Sequence, residues 1–154
     1  MSTGACAITR RRLLQGSVAS ILVRALPAIA APELPDIPLL AQLLRGRTPR
    51  WERLRLELPA LADNGLAVPL KLTMPGPFAP DPTVQAIHLF SEKNPVPDMA
   101  VFEFVAPVER IEIETRVRLA GSQKVVALAV MSDETLYAAA AEVIVTIAAC
   151  LDGS

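Results

Sequence analysis

The sequence predicts an all-β chain: an immunoglobulin-like antiparallel β-sandwich preceded by a signal peptide and a short N-terminal helix. Three observations carry this expectation. Beyond residue 50, apolar and polar residues alternate with period two in run after run, the pattern of half-buried strands. About seven such runs fall within roughly 100 residues, the number and spacing a sandwich of this type needs. Between them stand Pro-, Gly- and Asn-rich turns and no helical repeat.

Residues 1–30 read as an export address. They have a basic start, a modest apolar run and Ala28-Ile29-Ala30, the small-x-small form cut by signal peptidase. The apolar run is interrupted by Arg24 and is too short to span a bilayer, so no membrane anchoring is expected. Thr9-Arg10-Arg11-Arg12-Leu13-Leu14 is similar to a twin-arginine signal, the alternative being an ordinary secretory signal that holds three arginines. Either one predicts a periplasmic protein. Removing the segment from 154 residues leaves 124, one domain with enough chain for a core. Four of the 15 bases leave with it, so 11 face 16 acids, a net of −5 that does not fit a nucleic-acid binder.

Residues 31–50 form an N-terminal segment in which "DIPLLAQLLRG" predicts a short helix. Asp36 is the expected cap, Pro38 suits the first turn and Gly46 the end. Ile37, Leu40, Ala41 and Leu44 fall on one stripe, which predicts that the helix lies against the domain or a partner. Residues 51–154 form the sandwich. "ERLRLEL" sets Leu54, Leu56 and Leu58 against Arg53, Arg55 and Glu57, and "RIEIETRVRLA" turns Ile111, Ile113, Val117 and Leu119 inward. Further strands are expected in "AVPLKLTM", "VQAIHLFS", "MAVFEFVA", "QKVVALAVMS" and "LYAAAAEVIVTIAAC". The last is read as strand despite its alanines, because β-branched residues follow at once. Asp63-Asn64-Gly65, Pro75 to Pro82, Asn94 to Asp98, Gly121-Ser122 and Ser132-Asp133 supply the turns.

Few residues carry chemistry. His88 is the one histidine, and by strand parity it shares a face with Val84, Ala86 and Phe90. It lacks the companions of a zinc site, so it reads as a sheet residue with a satisfied ring nitrogen. The charges around Arg116 and Arg118 could attract an anion, but interleaved acids cancel their field. "SEKNPVPD" is a stiff loop of the kind that presents a surface. Cys6 leaves with the signal, so Cys150 is the only cysteine of the exported form and no internal disulfide is available. A cysteine followed by only Leu151, Asp152, Gly153 and Ser154 has little chain to bury it, which favours an accessible thiol over a small buried hydrophobe.

Four segments together resemble the SoxY family, the sulfur-carrier subunit of the thiosulfate-oxidising Sox system. They are "LELPALADNGLAVPLKL" (56–72), "IHLFSEKNPVPDMAVFEF" (87–104), "ETRVRLAGSQKVVALAVMSD" (114–133) and "EVIVTIAAC" (142–150). The resemblance implies a non-enzymatic carrier of immunoglobulin-like fold, with Cys150 as the covalent attachment point on a swinging C-terminal arm. It implies a thiosulfonate adduct there, delivered to sulfur-oxidising and hydrolysing enzymes of the same pathway. It implies a heterodimer with a SoxZ-like β-sandwich subunit exported as a passenger, and no cofactor or metal. The family's arm is "GGCGG", whereas this chain reads Ala148-Ala149-Cys150-Leu151-Asp152-Gly153-Ser154. Alanine gives up glycine's positive φ, and Asp152 disfavours the nearby thiolate. Two other functions compete: a binding module that has lost carrier chemistry, and a cysteine-dependent enzyme pairing Cys150 with His88.

Overall fold

In the computed structural model, which describes residues 32–78 and 81–147, the described chain forms one α-helix and eight strands in two sheets. The helix α1 (Pro38–Leu44) starts on proline, whose fixed φ suits the first turn and whose missing N–H has no partner there to lose. Its N-cap is Ile37, in extended backbone and with no side-chain cap. Asp36, the expected cap, stands one residue too early. The helix closes on Arg45 in the left-handed region (φ 49°), whose N–H returns to the Ala41 carbonyl, and Gly46 (φ 74°) follows. Ile37 and Leu40 are buried, while Ala41, placed on the stripe by the sequence, faces solvent and Leu43 packs in its stead.

The strands are β1 (Arg55–Glu57), β2 (Leu61–Asn64), β3 (Val68–Met74), β4 (Val84–Ser91), β5 (Asp98–Glu103), β6 (Ile111–Val117), β7 (Gln123–Met131) and β8 (Leu136–Ile147). One sheet has the order β1-β3-β6 and the other β2-β8-β7-β4-β5. The second contains the G-F-C-C′ order of immunoglobulin variable-type domains, and the first their A-B-E order. The expected sandwich is therefore present, with two differences. The pairing of β2 with β8 is parallel, while the other pairings between these strands are antiparallel. And β2 occupies residues expected as the turn Asp63-Asn64-Gly65. Only Ala62 of that strand is buried, so it carries no period-two signal. It exists because its backbone pairs with β8, Leu61 opposite Ile144 and Asn64 opposite Ile147. The turn begins one step later, where the Asn64 side chain accepts from the Leu66 N–H at 2.7 Å.

The sheets enclose a core built from Leu70 and Leu72 of β3, Ile87 and Leu89 of β4, and Val125, Ala127 and Ala129 of β7. A second apolar layer lies on the outer face of the larger sheet. There α1 brings Ile37 and Leu40 onto Phe90, Val126, Leu128, Leu136 and Ala138. The stripe on α1 thus packs against its own domain. β7 is buried on both faces, which explains why "VVALAVM" is a continuous apolar run rather than an alternating one. The alanine-rich start of β8 is strand, as expected, since Ala138 to Ala141 pair in register with Leu128 to Val125.

Candidate functional site

The candidate attachment point, Cys150, lies outside the described residues, as do Cys6 and the signal segment. What the structure does describe is β8, the strand that leads towards it. β8 is the longest strand, 12 residues, and it outruns β7: Gln123, the first residue of β7, stands opposite Val143. Beyond that point β8 pairs with β2 along one edge, and among the described residues its other edge is met by the Ser122 side chain. The Ser122 hydroxyl accepts from the Val145 N–H at 2.9 Å and donates to the Val145 carbonyl at 3.4 Å.

Ser122 is held in place by a polar cluster. Gln123, only 5 % exposed, donates to the Asn94 side-chain oxygen at 3.0 Å and to the Gly121 carbonyl at 3.2 Å, and accepts from the Lys93 N–H at 2.8 Å. Asn94 in turn accepts from the Ala120 N–H at 2.9 Å and donates to the Arg118 carbonyl at 2.8 Å. The Lys93 ammonium reaches the Ser122 carbonyl at 2.8 Å, and Glu92 exchanges bonds with the Lys124 backbone. A buried amide this fully satisfied fixes a loop, because each broken bond would leave a buried group unpaired. "EKNP", "RLAGS" and the first residue of "QKVVALA" are therefore one unit that grips β8 at Val145, two residues before the strand ends. Sequence reasoning singled out the stiff loop but not Gln123, Asn94 or Ser122 as a set. The available signal was a glutamine at the head of a strand that is apolar from Val125 onward.

His88 is elsewhere. It pairs with Leu128, which pairs with Ala138, and from there β8 runs nine residues to Ile147. At the rise of a strand that is roughly 30 Å. The three residues from Ile147 to Cys150 span at most about 11 Å, so covalent reach forbids a Cys–His pair. A bulge between Val84 and Ala86 puts Val84 in the inter-sheet core, while His88 and Phe90 share the outer face with their rings stacked at 6.0 Å. Val84 therefore does not share the histidine's face. Nor is the ring satisfied as expected: among the described residues, His88 Nδ1 and the neighbouring Asp98 Oδ1 are buried without partners. Burial holds the His88 pKa below its ordinary value, opposed by the charges of Asp98 and Glu103.

On the outer face of the smaller sheet, Lys71 sits between Glu112 at 2.6 Å and Glu114 at 2.8 Å. Those hydrogen bonds push the Lys71 pKa up and pull that of Glu112 down. The acids thus neutralise the face beside Arg116, and it forms no anion cradle. Among the described residues no group of three or more His, Cys, Asp or Glu side chains could hold a metal ion.

Among solved structures, the chain is similar to superoxide reductase (neelaredoxin) from Ignicoccus hospitalis, at 14% identity and a TM-score of 0.44, over 61% of this chain and 80% of that one. It is also similar to superoxide reductase (neelaredoxin) from Archaeoglobus fulgidus, at 18% identity and a TM-score of 0.44, over 64% of this chain and 95% of that one. At that similarity their chemistry does not transfer to this chain. No curated protein sequence matches it. The model of the family "Sulfur oxidation protein SoxY" matches residues 40–150, a span that takes in all eight strands, the polar cluster that holds β8 and the terminal cysteine, and the chain belongs to that family.

Proposed function

We propose that this chain is a periplasmic sulfur carrier, exported by the twin-arginine route, that holds thiosulfate-derived intermediates covalently on Cys150. It works as a heterodimer with a SoxZ-like β-sandwich subunit and presents its cargo in turn to sulfur-oxidising and hydrolysing enzymes. The observation that carries this reading is that the family match runs through residue 150 and so includes the cysteine. The fold supports it. A carrier needs one soft nucleophile on a short tether rooted in a rigid body, and the end of β8 is such a root. Sulfur bonded to sulfur leaves by exchange or hydrolysis, so no base or metal has to come from this chain.

The test is mass spectrometry of protein purified from cells oxidising thiosulfate. A sulfur adduct on the C-terminal peptide, released by a thiol reductant, is the expected result, and a bare Cys150 in every preparation overturns the proposal. One observation favours a second reading, a binding module without carrier chemistry: Ala148, Ala149, Leu151 and Asp152 stand where the family has glycine. The substitution Cys150→Ser separates the two. The carrier reading expects thiosulfate oxidation to stop while the partner subunit still binds, and the binding-module reading expects neither to change.

A further inference from the structure

We infer that the free edge of β5 is the surface on which the partner subunit docks, adding an edge strand that is aliphatic where it meets Val101 and basic where it meets Asp98 and Glu103. The inference rests on the heterodimer proposed above and concerns where that dimer forms. Each sheet ends in two strands with one neighbour, so among the described residues there are four edges: β1 and β6 in one sheet, β2 and β5 in the other. An open edge is a row of unpaired N–H and C=O groups that can take another chain, and proteins blunt it by shortness or by charge. β1 has three residues and β2 four, both with charged side chains. β6 sets Glu112, Glu114 and Arg116 at every second position. β5 is six residues long and carries no charge from Met99 to Phe102. An extra residue, Met99, bends its start, and the regular stretch begins at Ala100.

The ladder to β4 fixes which groups are open. The Phe104 N–H donates to the Gln85 carbonyl at 2.9 Å, so its backbone faces β4. Successive strand residues alternate, which turns the N–H and C=O of Val101 and Glu103 away from β4. Val101 pairs with His88 and therefore lies on the outer face of the sheet, 42 % exposed. Asp98 pairs with Phe90 and Glu103 with Ala86, on the same face. Val96, before the strand, and Val105, after it, are more exposed still. Aliphatic side chains in the open at three points along one bare edge mark an interaction surface.

Charge selects the occupant. Among the described residues neither Asp98 nor Glu103 forms an ion pair, whereas Glu112, Glu114 and Glu142 each meet a lysine. Both carboxylates act on His88, which places them around one spot on the face. A second copy of this chain, paired antiparallel through Val101, would bring the same acids to the same face of the joined sheet, four carboxylates with no cation among them. A strand that carries a lysine or arginine neutralises them instead. The backbone ladder then supplies affinity, and the two acids choose the partner.

The experiment co-expresses the full chain with the SoxZ-like subunit and compares amide exchange in the complex and in the isolated chain. Exchange at Val101 and Glu103 is expected to slow about tenfold or more in the complex, with little change at Leu61 and Asn64 of the β2 edge. Val101→Lys, which sets a cation against a basic strand, is expected to weaken the dimer about tenfold while the melting temperature of the isolated chain stays the same. Val101→Thr, which keeps the branched shape, binds within about twofold of wild type. Glu103→Gln weakens binding about two- to fivefold at low salt and flattens its salt dependence. Three results overturn the inference: a complex in which exchange at Val101 is unchanged, wild-type binding by Val101→Lys, or protection of Val101 in the isolated chain at the mass of a homodimer, which gives the edge to a second copy. Should Val101→Lys fail to fold, the exchange measurement on the wild-type complex decides alone. If no complex forms, the heterodimer itself is defeated, and this inference with it.

Discussion

Gly76 stands where the chain leaves β3, and a methyl group there would run into the Glu109 carbonyl, with the carbonyl carbon 2.9 Å away. Because the obstacle is backbone rather than a side-chain tip, it cannot swing aside. Gly76→Ala is expected to destabilise the fold by about 2 kcal/mol, in the range of other overpacking changes, as a lower urea midpoint at unchanged slope. His88 makes a different prediction. Its folded pKa lies below the ordinary 6.5 because burial disfavours the charged ring. The unfolded chain therefore takes up a proton near pH 6.5 that the folded chain accepts only at lower pH. Stability is lost as pH falls through that window and is unaffected by this group above it. His88→Gln should flatten that part of the urea-midpoint profile; a wild-type profile level from pH 7 to 5 contradicts the assignment. Neither residue announces itself in the sequence, since a glycine beside proline reads as a turn and a lone histidine in an alternating strand reads as satisfied.

Among the elements, those with a side-chain rhythm were legible and those built by backbone pairing were not. β6 alternates without fault, with Ile111 and Val117 buried and Glu112, Glu114 and Arg116 exposed, so its residues alone define it. β2 has no such rhythm and exists through the ladder to β8, a partner some 80 residues distant that no local pattern can name. The polar cluster was hidden for the same reason: Asn94 lies between β4 and β5, while Ser122 precedes β7 and Gln123 opens it, and the three meet only once the sheets have formed. The helix was foreseen, but its choice of the outer sheet face over a partner depends on Phe90, Val126 and Leu128, which lie outward on strands β4 and β7. Leu40 is the peg of that layer, 1 % exposed. Leu40→Ala should therefore cost about 2–4 kcal/mol, as deletions of fully buried leucines do. A loss under about 0.5 kcal/mol, the ordinary effect of a surface change, would mean that α1 rests on the sheet without contributing to its stability.

At the scale of the whole molecule, β7 joins two apolar layers. Val125, Ala127 and Ala129 face the inter-sheet core, while Val126 and Leu128 face α1. One strand cannot release one layer and keep its place in the other, so the layers should come apart together. Trp51 gives a local reporter, since the chain has one tryptophan and it packs in the outer layer. Far-UV circular dichroism reports both sheets. Thermal or urea unfolding followed by tryptophan fluorescence and by circular dichroism is expected to give coincident transitions, the mark of a single cooperative unit. A fluorescence transition at lower temperature would show the helix layer melting first and would confine cooperativity to the sandwich.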